Sequence, residues 1–198
     1  MATPKEKYYE KRGQILVKNL QNRHFEAFYC ATKEEALAKA LELIPEGATI
    51  GWGGCMTAGQ MGLMDALHQG NYKLLDRDQC QTMEEREALQ RQAFSADFFL
   101  SGANGLSLDG QMVNIDGTGN RVAPVIYGPS NVLIVAGMNK VEDTLDMVVN
   151  AFHKQLDSMF AGEALDVNAD IAVMENLMKT EGLTDDDISQ IKLTLSQE

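Results

Sequence analysis

The N-terminal stretch KEKYYEKRGQILVKNLQNR sets apolar side chains at helical spacing within a polar run and predicts one long helix. HFEAFYC, short and aromatic, predicts a strand carrying Phe25, Phe28 and Tyr29. Thr32 and Glu35 then form a capping box. Ala36, Leu37, Ala40, Leu41 and Ile44 follow on one helical face until Pro45-Glu46-Gly47 ends the pattern.

ATIGW predicts the next strand, and the glycine-rich turn GWGGCM follows it. Thr57 with Gln60 reads as a second capping box, so a helix is expected from just after Thr57 to near Gly70. YKLL predicts a short strand, and Thr82 with Glu85 starts a helix running to near Phe94. ADFFLSG is apolar throughout, as expected of a strand covered on both faces of a parallel sheet. In LSLDGQMVNID, Asp109-Gly110 separates two short strand-like runs and predicts a hairpin. The loop GTGNR and a segment through Pro124 and Gly128 lead to NVLIVAG, a further buried strand, and VEDTLDMVVNAF, a helix. Strands alternating with helices predict an α/β fold, a mainly parallel sheet flanked by helices, with a β-hairpin insertion.

Residues 151–198 differ in kind. They hold three lysines and ten acids, a net charge of −7, against −12 for the whole chain of 198 residues. DVNADIAVMENLMK and TDDDISQIKLTL both have helical spacing, and Ile171, Met174, Leu177 and Met178 share one face. The expected organisation is an α/β domain over 1–150 and an acidic α-helical tail over 151–198. The methionine-rich face is expected to pack on the domain or on a second copy, making a homo-oligomer.

The acidic balance disfavours nucleic acid and anionic membranes as partners. No apolar run approaches the roughly 20 residues of a membrane-spanning helix, and the charged start lacks a signal peptide's apolar core. A cytoplasmic location is the expectation. Cys30, Cys55 and Cys80 form no disulfide framework or iron–sulfur ligand set, and His24, His68 and His153 form no H-x-x-x-H pair. Neither a metal nor a cofactor is expected in this chain.

Candidate chemistry lies just after the predicted strands, where open parallel sheets bind ligands. Four segments there are rich in glycine, amide and hydroxyl groups. They are Gly53-Gly54-Cys55-Met56-Thr57, Ser101-Gly102-Ala103-Asn104, Gly117-Thr118-Gly119-Asn120-Arg121 and Gly137-Met138-Asn139-Lys140. Glycine admits a ligand close to the backbone, and Arg121 and Lys140 favour a small anionic metabolite. Neither GWGGCM nor GTGNRV completes the dinucleotide fingerprint, and no P-loop motif exists. Cys55 is open to two roles, nucleophile or small residue fitting the turn. Asp116 is open to two as well, general base or cap for the loop amides. Trp52 either stacks on a ligand or packs in the core.

Three blocks carry a family resemblance: YYEKRGQILVKNLQNRHFEAFYCATKEEALAKALELIPEGATI, WGGCMTAGQMGLMDAL, and ADFFLSGANGLSLDGQMVNIDGTGNRVAPVIYGPSNVLIVAGMNK. Together they cover roughly residues 5–150 and resemble the LUD (lactate-utilisation) domain, as in the C subunit of the bacterial lactate-utilisation system. The resemblance implies a fold like that of the NagB, ribose-phosphate isomerase and coenzyme A transferase superfamily. It also implies a part in oxidising L-lactate to pyruvate beside partner subunits that hold iron–sulfur clusters. More distantly, the SGAN block is similar to the GAD block of methylthioribose-phosphate isomerases and translation-initiation exchange factors. There the aspartate moves protons; here Asn104 stands in its place, and an amide does not titrate near pH 7. Two departures from the closer family are Cys55, where serine is expected, and a tail without the Cys-containing ending.

The leading expectation is thus an accessory LUD-domain subunit of lactate or related organic-acid utilisation, with an anion-binding crevice. Its site would be formed by Gly53, Gly54, Thr57, Gly102, Asn104, Gly117, Thr118, Gly119, Asn120, Arg121 and Lys140, with Asp116 and Cys55 as candidate reactive groups. Two alternatives stay open. One is an independent enzyme acting on a phosphorylated or coenzyme A-linked small molecule; the other is a non-catalytic partner-binding module.

Overall fold

The computed structural model describes residues 3–160, so both predicted tail helices lie outside the described residues. The chain divides into two compact units, Met1–His153 and Lys154–Glu198, and the first contains all the features below except the end of the last described helix. Helix α1 (Pro4–Asn22) opens with a full capping box between Thr3 and Glu6 and a proline in its first turn. Helix α2 (Lys33–Leu43) is capped by the Thr32 hydroxyl on the Glu35 amide.

Four parallel strands make the main sheet: β1 (Thr49–Trp52), β2 (Lys73–Leu75), β3 (Phe98–Ser101) and β6 (Asn131–Ile134), in the order β2-β1-β3-β6. Register pairs Ile50 with Phe98 and Trp52 with Leu100, so these four share a face. Against that face pack Ala40 of α2 and Ala58, Met61, Leu63 and Leu67 of the segment after β1. On the other side lie α6 (Val122–Tyr127) and the turn Ala93–Ser95 that ends α5 (Met83–Gln92). The α5 capping box between Thr82 and Glu85 forms as its sequence predicts.

A second, three-stranded sheet holds the predicted hairpin, β4 (Gly105–Ser107) antiparallel to β5 (Met112–Val113), with β7 (Val141–Glu142) parallel to β4. Leu16 of α1 packs on it beside Leu106 and Val141. Asn19 donates to the Leu108 carbonyl at 2.8 Å, and Arg12 reaches the Val141 carbonyl and the Asp143 carboxylate. The last described helix, α7, spans Leu145–Phe160.

Five expectations need correction. HFEAFYC forms no strand: residues 25–30 run without ladder partners, and the Tyr29 ring lies against Gly13 of α1. Aromatic content marks a surface that packs, and here the packing partner is a helix. The single helix expected after Thr57 is two, α3 (Met56–Gln60) and α4 (Leu63–Gln69), because Gly62 turns left-handed with φ 83° between them. Cys55, with no side-chain cap hydrogen bond, precedes α3, and the Thr57 capping box does not form. NVLIVAG lies at the sheet edge, only partly buried. Val141 and Glu142 belong to a strand, so α7 starts later than its hydrophobic pattern suggests.

In the main sheet the chain leaves β1 toward β2 on one side, whereas β3 is followed by β6 on the other. The crevice between the carboxyl ends of β1 and β3 is therefore a topological switch point.

Candidate functional site

Both loops that flank this switch meet one side chain, Arg121, which is only 8% exposed. Its Nη1 donates to the Gly102 carbonyl at 3.0 Å and to Asn114 Oδ1 at 2.7 Å. Its Nη2 donates to Asn104 Oδ1 at 2.5 Å and to the Ile115 carbonyl at 2.8 Å. A Cβ on Gly53 would lie 2.5 Å from Arg121 Cγ, so only glycine leaves room for the arginine stem. While the arginine stem lies against the turn after β1, the guanidinium ties the loop after β3 to the strand-like run 114–116. Its charge is spent on protein acceptors.

Asp116 supports the same arginine from below. Its carboxylate accepts from the amides of Gly119 at 2.5 Å, Arg121 at 2.9 Å and Val122 at 2.7 Å. Burial raises this carboxyl, but the Val122, Arg121 and Gly119 amides and the Arg121 charge outweigh it and hold it below the ordinary range. Of its two roles, the geometry is that of the cap. A carboxylate saturated by three amides is a poor proton acceptor. Asn104 accepts through one oxygen from both Arg121 and the Ile115 amide.

Lys140 is placed differently. Its Nζ donates to the Ala103 carbonyl at 2.6 Å, and among the described residues it has no carboxylate partner. An ammonium has three donors, so two remain for a ligand. Cys55 feels the charge of both cations. Its thiol points to the Val135 carbonyl at 3.8 Å, just beyond β6, and a Cβ on Gly102 would lie 3.6 Å from the sulfur. Burial pushes the Cys55 thiol above its ordinary range, and the Ala58 amide, Lys140, Arg121 and the Thr57 amide only partly offset this. The thiol is protonated near neutral pH, as suits a small residue filling the turn.

Gly54 and Gly117 are exposed and take no left-handed φ, and a Cβ added at either would meet no other group within 4 Å. Nothing in the described chain requires glycine at either. Gly119 does require it, with φ 74°, and the Thr118 hydroxyl donates to Asn120 Oδ1 at 3.1 Å across the loop tip. The structure therefore joins Gly53, Gly102, Asn104, Asp116, Gly119 and Arg121 directly. It brings Cys55, Thr57 and Lys140 to the same end of the sheet and leaves Gly54, Gly117, Thr118 and Asn120 at the rim.

Sequence reasoning missed Asn114 and the carbonyls of Ala103 and Ile115. Asn114 had a readable signal, since Asn114 and Asp116 alternate in an extended run and fall on one side of it. Trp52 is buried in the core, and its indole donates to Asp78 Oδ2 at 3.1 Å. Among the described residues no group of three or more His, Cys, Asp or Glu side chains is placed to hold a metal ion. No described helix is long and apolar enough to cross a membrane.

Comparison with curated proteins finds no significant match. The sequence model of the LUD domain matches residues 13–167, a span that includes every strand above and all four loop segments of the crevice. The chain belongs to the LUD domain family.

Proposed function

We propose that this chain serves the oxidation of lactate or a related organic acid, as a subunit that holds a small carboxylate while iron–sulfur partner subunits carry the electrons. Family membership supports the metabolic setting, and the division of labour between the two cations supports the ligand class. Four of the five Arg121 N–H donors go to protein acceptors, so its main work is to shape the crevice, whereas Lys140 keeps two of its three donors for an anion. The backbone above Gly54 and Gly117 is open, as close approach of a carboxylate to amides needs. Asp116 and Cys55, one committed to amides and the other protonated, act as structural groups in this reading.

Thermal-shift titration with L-lactate, pyruvate, inorganic phosphate and an acyl-coenzyme A separates the ligand classes. Gly54→Ala and Gly117→Ala should each keep the unliganded melting temperature within about 2 °C, equivalent to roughly 0.5 kcal/mol, whereas Lys140→Ala should cost about 1–3 kcal/mol of stability, because the Ala103 carbonyl loses its donor. Each should lose most of the stabilisation by the carboxylate. Stabilisation by phosphate or the thioester alone would transfer the site to the independent-enzyme reading. Unchanged carboxylate binding in all three variants would remove the crevice assignment. Unimpaired growth on lactate and related acids after gene deletion would remove the metabolic one.

A further inference from the structure

Away from the crevice, His68 near the end of α4 is held between two acceptors. Its Nδ1 lies 2.7 Å from the Met64 carbonyl and its Nε2 lies 2.8 Å from Asp76 Oδ2. A neutral imidazole carries one N–H and can satisfy one of these; the imidazolium carries two and satisfies both. We propose that His68 and Asp76 form a pH-sensitive clip, which fastens α4 to the segment after β2 while the ring is protonated and lets go as the pH rises.

What the clip holds follows from the other bonds of Asp76. The same carboxylate accepts from the Asp78 amide at 2.9 Å and from Gln79 Nε2 at 2.7 Å, so it organises the turn Arg77–Gln79. Asp78 in turn accepts from the Trp52 indole. The Trp52 ring stands edge-on to His68, with centroids 6.3 Å apart and planes at 68°. The charged groups facing this cluster are Asp65 on α4, Asp76, Arg77 and Asp78 on the turn, and Arg86 on α5, which lies 3.8 Å from Asp78. Asp76 and Asp65 both favour the charged form of His68. In agreement, the Asp76 hydrogen bond and then the Met64 carbonyl raise the His68 pKa above its ordinary 6.5. Asp76 itself is raised by burial, but its bonds to His68, Asp78 and Gln79 bring it below the carboxylate range. Trp52 ends β1 immediately before Gly53, so the clip steadies the stem of the first crevice loop.

Trp52 is the chain's sole tryptophan and gives the clip a built-in reporter, because an imidazolium in contact with an indole quenches its fluorescence. On the full-length protein, emission should rise in one step as the pH increases, with a midpoint above 6.5. His68→Gln should abolish the step, and Asp76→Asn should lower its midpoint, while His24 and His153 remain as internal controls. A flat profile between about pH 5.5 and 9, or a step that persists in His68→Gln, would overturn the proposal. If that variant folds poorly, the histidine ring resonances of the wild type and Asp76→Asn decide it by NMR. An unmoved His68 midpoint in Asp76→Asn rejects the clip.

Discussion

At the scale of the residue, two cations that look alike in sequence do different work. Arg121 is planar, forked and buried, and meets four acceptors drawn from two segments. Arg121→Ala would strand the Gly102 and Ile115 carbonyls and the Asn114 side-chain oxygen, at about 1–3 kcal/mol for each that stays dry, not additively, while Asn104 keeps the Ile115 amide. A net loss of about 3 kcal/mol or more in urea unfolding is expected. Arg121→Lys should restore little of it, because one ammonium cannot span that fork. Loss below about 0.5 kcal/mol would show that water replaces the guanidinium easily. The sequence placed Arg121 and Lys140 in the right loops, since glycine, amide and cation there are local signals. It could not tell them apart, because three of their five acceptors are main-chain carbonyls, which leave no trace in residue identity.

At the scale of the element, capping residues were the most legible signals and periodicity in short segments the least. Thr82 caps α5 with the full box as read, and Thr32 caps α2 with half of one, since the Glu35 carboxylate takes the Ala31 amide instead of the Thr32 amide. Thr57 misled because Gly62, five residues on, divides the segment and moves the helix start to Met56. Gly62→Ala places a Cβ in the left-handed region with no clash closer than Leu37 Cδ2 at 3.9 Å. The expected destabilisation is therefore the backbone term alone, about 1–2 kcal/mol, with no change in fold by circular dichroism. A neutral or stabilising result would mean that α3 and α4 can merge into the single helix the sequence suggests. The aromatic run 25–30 failed as a strand for a different reason. Its partner is the α1 surface around Gly13, and no local pattern reveals a contact across the chain.

At the scale of the whole molecule, the mainly parallel sheet followed from alternation alone, whereas the strand order, the switch point it creates and the edge position of β6 did not. Apolar composition reports burial on both faces but says nothing about which strands have two neighbours. The charge pattern predicts a bounded stability profile. Asp116 and Asp76 have folded values below the ordinary 3.8, so their contribution is present above 3.8 and is lost as pH falls through those lowered values. His68 has a folded value above 6.5, so its contribution is present below 6.5 and is lost as pH rises through the raised value. Melting temperature should therefore peak between these limits and decline on both sides. His68→Gln should flatten the alkaline limb alone, and a profile still rising beyond neutral pH would contradict the assignment.

The Arg121 fork also bears on how the crevice comes and goes. The Gly102 carbonyl it reaches lies 19 positions away in the chain, and the Asn104 amide lies 17 away. Loops joined through one buried ion cannot fray one at a time, since releasing any of them exposes the charge on which the others depend. The rim amides and the turn after β1 should consequently open and close together, as a single cooperative unit below the level of global unfolding. The site would then exist complete or not at all.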